Sequence, residues 1–325
     1  MPLHDAFLGS LAADALAMPG HWYYDREALS RDYGVLEHYV APRNPHPDSI
    51  LWRSKYDPPN ENGDILHDQA QYWGQRDIHY HQFLEAGENT LNLQLAVELH
   101  SFVLERGEYD AESWAIRYAE CMRSPGWHRD TYVEEYHRGF FMRLAQGKSL
   151  LNCGVKDEHI GGLAQIPALL AALSPDANWR QITKDHLALT HRHPNVRRAA
   201  DCFARLLHRI AGGTPVRVAI SAEGGDWFSS RKAQKWAIRP DRNIIGRVLS
   251  PACYIDQSFP AALYLAWKYH DNFEAGISAN AMVGGDNCHR GVVVGAILGA
   301  ANGVPEPWID GLKCADRLSR GPVEA

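Results

Sequence analysis

The chain has 325 residues, 45% of them hydrophobic and 22% charged, the balance of an ordinary globular protein with a core large enough to need no covalent staples. A formal net charge of −6 argues against nucleic acid or an anionic membrane as partner, because either selects a basic face. Six scattered cysteines with no C-x-x-C argue against a disulfide framework or structural zinc site and fit a reducing cytoplasm.

The N-terminal Met1-Pro2-Leu3-His4-Asp5-Ala6 places no basic segment before an apolar stretch, so no secretory signal is expected. Leu3, Phe7 and Leu11 recur at helical spacing, and the spacing predicts an amphipathic helix over 3–17 that Pro19-Gly20 stops. Residues 26–87 carry many prolines, Asn and Asp, and read as a long excursion with short elements and no strand. Leu91, Leu95, Leu99 and Phe102 mark a strong helix ending near Arg106-Gly107. Helices are expected over 110–123, 130–146, 163–173, 195–210, 260–269 and about 289–302. The last carries Gly291, Gly295, Gly299 and Gly303 at four-residue spacing. Each interior glycine costs about 1 kcal/mol against alanine, a cost offset if that face meets another backbone at close range. It therefore reads as the innermost helix. Its apolar run, 291–301, falls well short of the ~20 residues a bilayer requires. No βαβ alternation, fixed-period repeat or linker appears, so a single all-α domain over 1–325 is the expectation.

Three polar segments lie at helix mouths. Glu88, in Ala86-Gly87-Glu88-Asn89-Thr90, is explained either by its helix start, with Asn89 or Thr90 as cap, or by a pocket role as metal ligand or general base. Gly284-Gly285-Asp286-Asn287-Cys288-His289-Arg290 reads as an N-cap, or as an exposed turn whose N–H groups and carboxylate meet a pyrophosphate. Thr190-His191-Arg192-His193-Pro194 offers a metal pair or two structural histidines at a helix start. His79-Tyr80-His81 is a weaker H-x-H, and His21-Trp22-Tyr23-Tyr24 either stacks on a base or covers the core. Cys288 and His289 are helical neighbours that do not face each other, so they form no dyad.

Together these segments resemble the ADP-ribosylglycohydrolase superfamily. Gly9 through Pro19, with Asp14, is similar to its opening motif. Thr190-His191-Arg192-His193-Pro194 is similar to its central Thr-His-x-His-Pro, and Gly284-Gly285-Asp286 through Gly303 to its closing glycine helix. The resemblance implies an orthogonally packed all-α fold and release of ADP-ribose from a modified acceptor, assisted by paired magnesium ions. It further implies catalytic roles for Glu88 and Asp286, metal ligation by Glu88, Thr90 and Asp286, and substrate contacts from Asp14, His21, Asn89, His191, His193, Gly284, Gly285, Asn287, Cys288 and His289.

The chain departs from the family where its aspartates hold metal. Asn89 and Cys288 stand where carboxylates would, Glu88 is a partial substitute for another, and His21 takes an acidic position. These replacements resemble the J-crystallin branch. Magnesium needs hard oxygen ligands, so the expectation is one weakly held magnesium or none. Glu88 and Asp286 would then work as a metal-free carboxylate pair. A silent ADP-ribose or nucleotide binder, a crystallin-like structural protein, and an activity of another class with Cys288 as nucleophile or soft-metal ligand are the alternatives.

Overall fold

The glycine stripe explains the centre of the molecule. In the computed structural model, which describes residues 2–318, α1 (Pro2–Ala17) lies against the helix Asn287–Asn302 closely enough that their backbones touch. A Cβ built on Gly295 would stand 2.1 Å from the carbonyl oxygen of Gly9, and one on Gly9 2.2 Å from that of Gly295. On Gly299 it would meet the Asp5 carbonyl oxygen at 2.3 Å. Every residue from Asn287 to Ala300 is buried, as an innermost helix requires. Gly303 is the exception to the stripe: it caps the helix end at φ 74°, a left-handed conformation that favours glycine.

Around this pair the chain winds α2 (Arg26–Tyr33), α3 (Leu91–Arg106), α4 (Ala111–Arg123), α5 (Glu135–Ala145), α6 (Ile166–Ala172), α7 (Trp179–Thr190) and α8 (Pro194–Ala211). It continues through α9 (Val216–Glu223), α10 (Ser230–Ala237), α11 (Asp241–Ile244), α12 (Ile255–Lys268), α13 (Phe273–Met282) and α14, the glycine helix. Two short helices, Glu306–Asp310 and Ala315–Leu318, follow. Helices α8, α12 and α13 pack on α14, while α6 bridges α1 to α3. Among the described residues there are isolated bridges but no sheet, and no helix is long and apolar enough to cross a membrane.

Helix α3 has the expected bounds. Helix α5 starts later than expected, at Glu135, because Glu134 sits extended at its N-cap. Helix α12 starts earlier, at Ile255, and carries Pro260 within it; Pro260 had suggested a start. Helices α7, α9, α10 and α13 were not anticipated. Helix α13 lacks a 3.6-residue apolar stripe because its sequence is rich in small residues, and Gly276 lets it approach Leu298 of α14. The excursion holds α2, capped by Asp25, and three 3₁₀ turns. It folds back so that Leu51 and Tyr80 pack with Trp22 and Tyr132 in a small apolar cluster of their own.

One stability prediction arises at the contact of α4 and α7. His186 is buried, its Nδ1 lies 3.0 Å from the Tyr109 hydroxyl, and burial pushes its pKa down to about 3. The unfolded chain therefore binds a proton that the folded chain refuses. Stability from this group is complete above about pH 6.5 and is lost by about 1.4 kcal/mol per pH unit as pH falls below it. Urea unfolding between pH 6.5 and 5 should show this acid slope, and His186→Phe should lower it by one proton's worth even if it lowers stability at pH 7.

Candidate functional site

The mouth of α14 is built by a turn that only glycine can make. Gly284 and Gly285 have φ of 67° and 65°, and a Cβ on either would press within 2.3 Å of the Tyr23 carbonyl oxygen or 2.1 Å of that of Pro251. Gly285 N donates to Tyr23 O at 2.7 Å, Asp286 N to Pro251 O at 2.9 Å, and Trp22 N to Gly285 O at 2.8 Å. The fully buried Arg290 guanidinium donates to Asn280 Oδ1 and to the Asn280 and Gly284 carbonyls at 2.9, 3.1 and 2.8 Å. The turn's N–H groups are thus spent inside the protein. Gly284 and Gly285 shape the site but do not present the free anion cradle that two glycines before a helix suggested.

Asp286 caps α14 and lies at the centre of a buried polar cluster. Its Oδ1 meets His289 Nδ1 at 2.7 Å and His21 Nε2 at 3.1 Å. Its Oδ2 is buried without a hydrogen-bond partner and faces His159 Nε2 at 3.6 Å. Gly161 N donates to His159 Nδ1 at 2.9 Å, which fixes the neutral ring's proton on Nε2, pointing at that free oxygen. Burial works against the charge on Asp286, but the neighbouring His289 and His21 outweigh it and hold the carboxyl well below its ordinary range. Burial likewise opposes charge on His289, yet Asp286 and Glu134 raise it to about 9.

His289 carries the cluster onward. Its Nε2 lies 2.6 Å from the Asn92 amide and 3.6 Å from Glu134 Oε1. Glu134 is buried, its Oε2 has no partner, and burial raises its pKa to about 7 despite His289. On the other side His21 Nδ1 meets His81 Nε2 at 2.7 Å, and His81 Nδ1 pairs with Asp130, which also accepts from Leu91 N.

The other expected residues occupy different surroundings. Asp14, Asn89 and Thr90 pin α1 to the start of α3. Asp14 accepts from the Thr90 hydroxyl at 2.7 Å, from Thr90 N at 2.9 Å and from the Asn89 amide at 3.0 Å. Thr90, expected as a metal ligand, has its hydroxyl committed to that pin. Glu88 is not beside Asp286. It leans outward to Arg129 and accepts from Glu85 N, lining a separate hollow of about 250 Å³ with Lys313 and Arg317. Asn287 is structural, its amide donating to Gly20 O and Ala281 O at 3.1 and 3.0 Å. His191 packs its ring 4.3 Å from that of Tyr136 with Nε2 unpartnered, and His193 caps α8 and pairs with Glu158 at 3.3 Å, so this H-x-H forms no shared pair. Cys288 is fully buried beside His21 and His81. Three residues of the cluster were missed, namely Glu134, His159 and Asp130, and His81 was undervalued; only its H-x-H hinted at it.

Among the described residues, three groups of side chains are close enough to hold a metal ion: His21–Asp286–His289, His21–His81–Cys288 and His159–Cys253–Asp286. Their donors are imidazole, thiol and a single carboxylate. Magnesium requires near-octahedral oxygen coordination, and across these three groups Asp286 supplies the one carboxylate, with the cationic His289 beside it. These residues do not fit magnesium. The cluster is also sealed: His21, Asp286 and Cys288 have no exposed surface, and Trp22 of the aromatic cluster packs on His21 with ring centroids 4.4 Å apart. A nucleotide-sized hollow of about 1120 Å³ lies elsewhere, against Arg26, Asp241, Tyr269 and Trp308, and none of these cluster side chains lines it.

An all-helical protein with a buried carboxylate–imidazole cluster at the mouth of its central helix is the class defined here. The chain belongs to the ADP-ribosylglycohydrolase family, whose sequence profile matches residues 3–322. A solved structure described as an ADP-ribosylglycohydrolase-related protein complex has a similar fold, with a TM-score of 0.65 at 18% identity, covering 98% of this chain and 94% of that one. No curated protein matches the sequence.

Proposed function

We propose that the protein hydrolyses a glycosidic bond of an ADP-ribosyl or related nucleoside conjugate without magnesium, using Asp286 and Glu134. The observation that carries this reading is a pair of buried carboxylates, each with one oxygen free of any partner, joined through the single imidazole of His289. Asp286 Oδ2 accepts a proton from attacking water or steadies an oxocarbenium-like ribose. Glu134 Oε2 protonates the departing group, as two carboxylates in unlike environments divide the work in glycosidases. His289 holds Asp286 in place, and His159 Nε2–H is positioned to donate to the reacting oxygen. Glu88, the acid suggested by sequence, is replaced in this scheme by Glu134. The substrate reaches the cluster by displacing the cover formed by Trp22, Tyr80 and Tyr132.

The test is a panel of ADP-ribosylated arginine and serine peptides and simple nucleosides, incubated with folded protein and scored for released ribosyl product. Turnover that persists in chelator supports the reading; no turnover of any member would sink it. The sealing of the cluster favours one second reading, a structural, crystallin-like role. For that role, neither turnover nor a calorimetric response to ADP-ribose is expected.

A further inference from the structure

We infer that His21, His81 and Cys288 form a binding site for a borderline-soft divalent cation of the zinc or cobalt type. This goes beyond the hydrolytic reading and does not depend on it. The three donor atoms, one from each residue, lie within 4.8 Å of one another in the interior. The two imidazoles meet through Nδ1 of His21 and Nε2 of His81 at 2.7 Å, with their ring planes 2° apart.

The outer nitrogen of each ring is already committed to a carboxylate. His81 Nδ1 contacts Asp130, and His21 Nε2 lies 3.1 Å from Asp286. A carboxylate on the outer nitrogen fixes the N–H there and turns the inner nitrogen into a lone pair. That is the outer-shell arrangement that orients metal-bound histidines. The consequence is a count that does not close. Three contacts run in series from Asp130 through His81 and His21 to Asp286, and each needs one proton between its two acceptors. Two neutral imidazoles supply two. At the inner contact two lone pairs face each other, and either a third proton or a metal cation must lie between them.

Cys288 decides in favour of the cation. It sits on the first turn of α14, fully buried, and its thiol has only a 3.8 Å contact with the Asp14 carbonyl oxygen to occupy it. A shared proton between two imidazoles has no use for a sulfur alongside. A zinc ion does, with two nitrogens at about 2.0–2.1 Å and a sulfur at about 2.3 Å. Tetrahedral ligation would require the imidazole nitrogens to separate to roughly 3.3 Å and the two rings, which now meet end to end with centroids 5.0 Å apart, to turn until both lone pairs converge on the ion beside Cys288. On binding, the thiol proton and any proton shared by the rings are released to solvent, leaving a thiolate and two neutral imidazoles. Such a donor set selects against magnesium and for zinc or cobalt.

The test uses the full chain, refolded from chelator-treated material with one equivalent of cobalt(II). The expected result is stoichiometric binding with the visible bands of tetrahedral cobalt and a near-ultraviolet thiolate-to-cobalt charge-transfer band. Cys288→Ser should lose the charge-transfer band, and His81→Gln should weaken zinc by tenfold or more in competition with a chromophoric chelator. Should either variant fail to fold, the wild-type protein still discriminates. Zinc must raise its melting temperature where magnesium does not, and must protect one thiol from alkylation. Absence of stoichiometric zinc or cobalt, or a charge-transfer band that survives Cys288→Ser, overturns the site and leaves a shared proton at the inner contact. None of these readouts depends on turnover, so failure here and failure of the hydrolase reading are told apart.

Discussion

Asp286→Asn is expected to lower glycosidic turnover by about 10²–10⁴-fold, the contribution of a positioned general base. The substitution keeps the side chain's size but removes the charge that His289 and His21 face. Glu134→Gln should act comparably, by removing the transferable proton at Oε2 rather than the base. Glu88→Gln is the discriminating control. Its carboxylate pairs with the half-exposed Arg129, so turnover should change by less than about threefold, as expected for an exposed ion pair worth under about 1 kcal/mol. If Glu88→Gln abolishes turnover and Glu134→Gln does not, the motif-based assignment is restored and the pair proposed here is wrong. Steady-state kinetics on one substrate, with folding checked by circular dichroism, settles the order.

Gly295→Ala should destabilise the protein by at least about 3 kcal/mol, although alanine gains about 1 kcal/mol of helix propensity over glycine. A methyl group at that position meets the Gly9 carbonyl oxygen at 2.1 Å and the Ala13 Cβ at 2.6 Å. Neither neighbour is a flexible side-chain end, so the two helices must separate along their length. Gly212→Ala provides the contrast. Its nearest neighbours stand at 3.5 Å and its φ is −80°, so the change should be neutral or mildly stabilising. Denaturant midpoints for the two variants should move in opposite directions or differ sharply; equal midpoints would remove the close crossing as the fold's organising contact.

The fold was more legible than the site. Leu91, Leu95, Leu99 and Phe102 announce α3 because one face of it is apolar, and the glycine spacing announces the burial of α14 because close backbone contact is what glycine uniquely permits. Helix α13 gives no such signal, since it buries small residues on most sides. At the candidate site, the position of Asp286 as the cap of α14 was legible because cap and turn chemistry are local. Glu134, His159 and Asp130 were not, because nothing near them in sequence marks them. Their meaning comes from His289 and His81, which reach them across the fold. Glu88 lies apart from Asp286 for the converse reason: a motif fixes a backbone position, and the direction of the side chain depends on Arg129, which lies outside the motif.

The pairing of α1 with α14 joins two segments that lie far apart in the sequence. Until residues beyond 287 have been made, α1 can pack on α6, α8 and α13, but the face of Gly9 and Ala13 that α14 covers in the finished protein lacks its partner. This crossing therefore closes only after the whole intervening chain has been made, although Leu95, Leu99, Trp114 and Phe140 form a core cluster without α14. Contacts of such long sequence separation make refolding slow relative to a bundle of neighbouring helices.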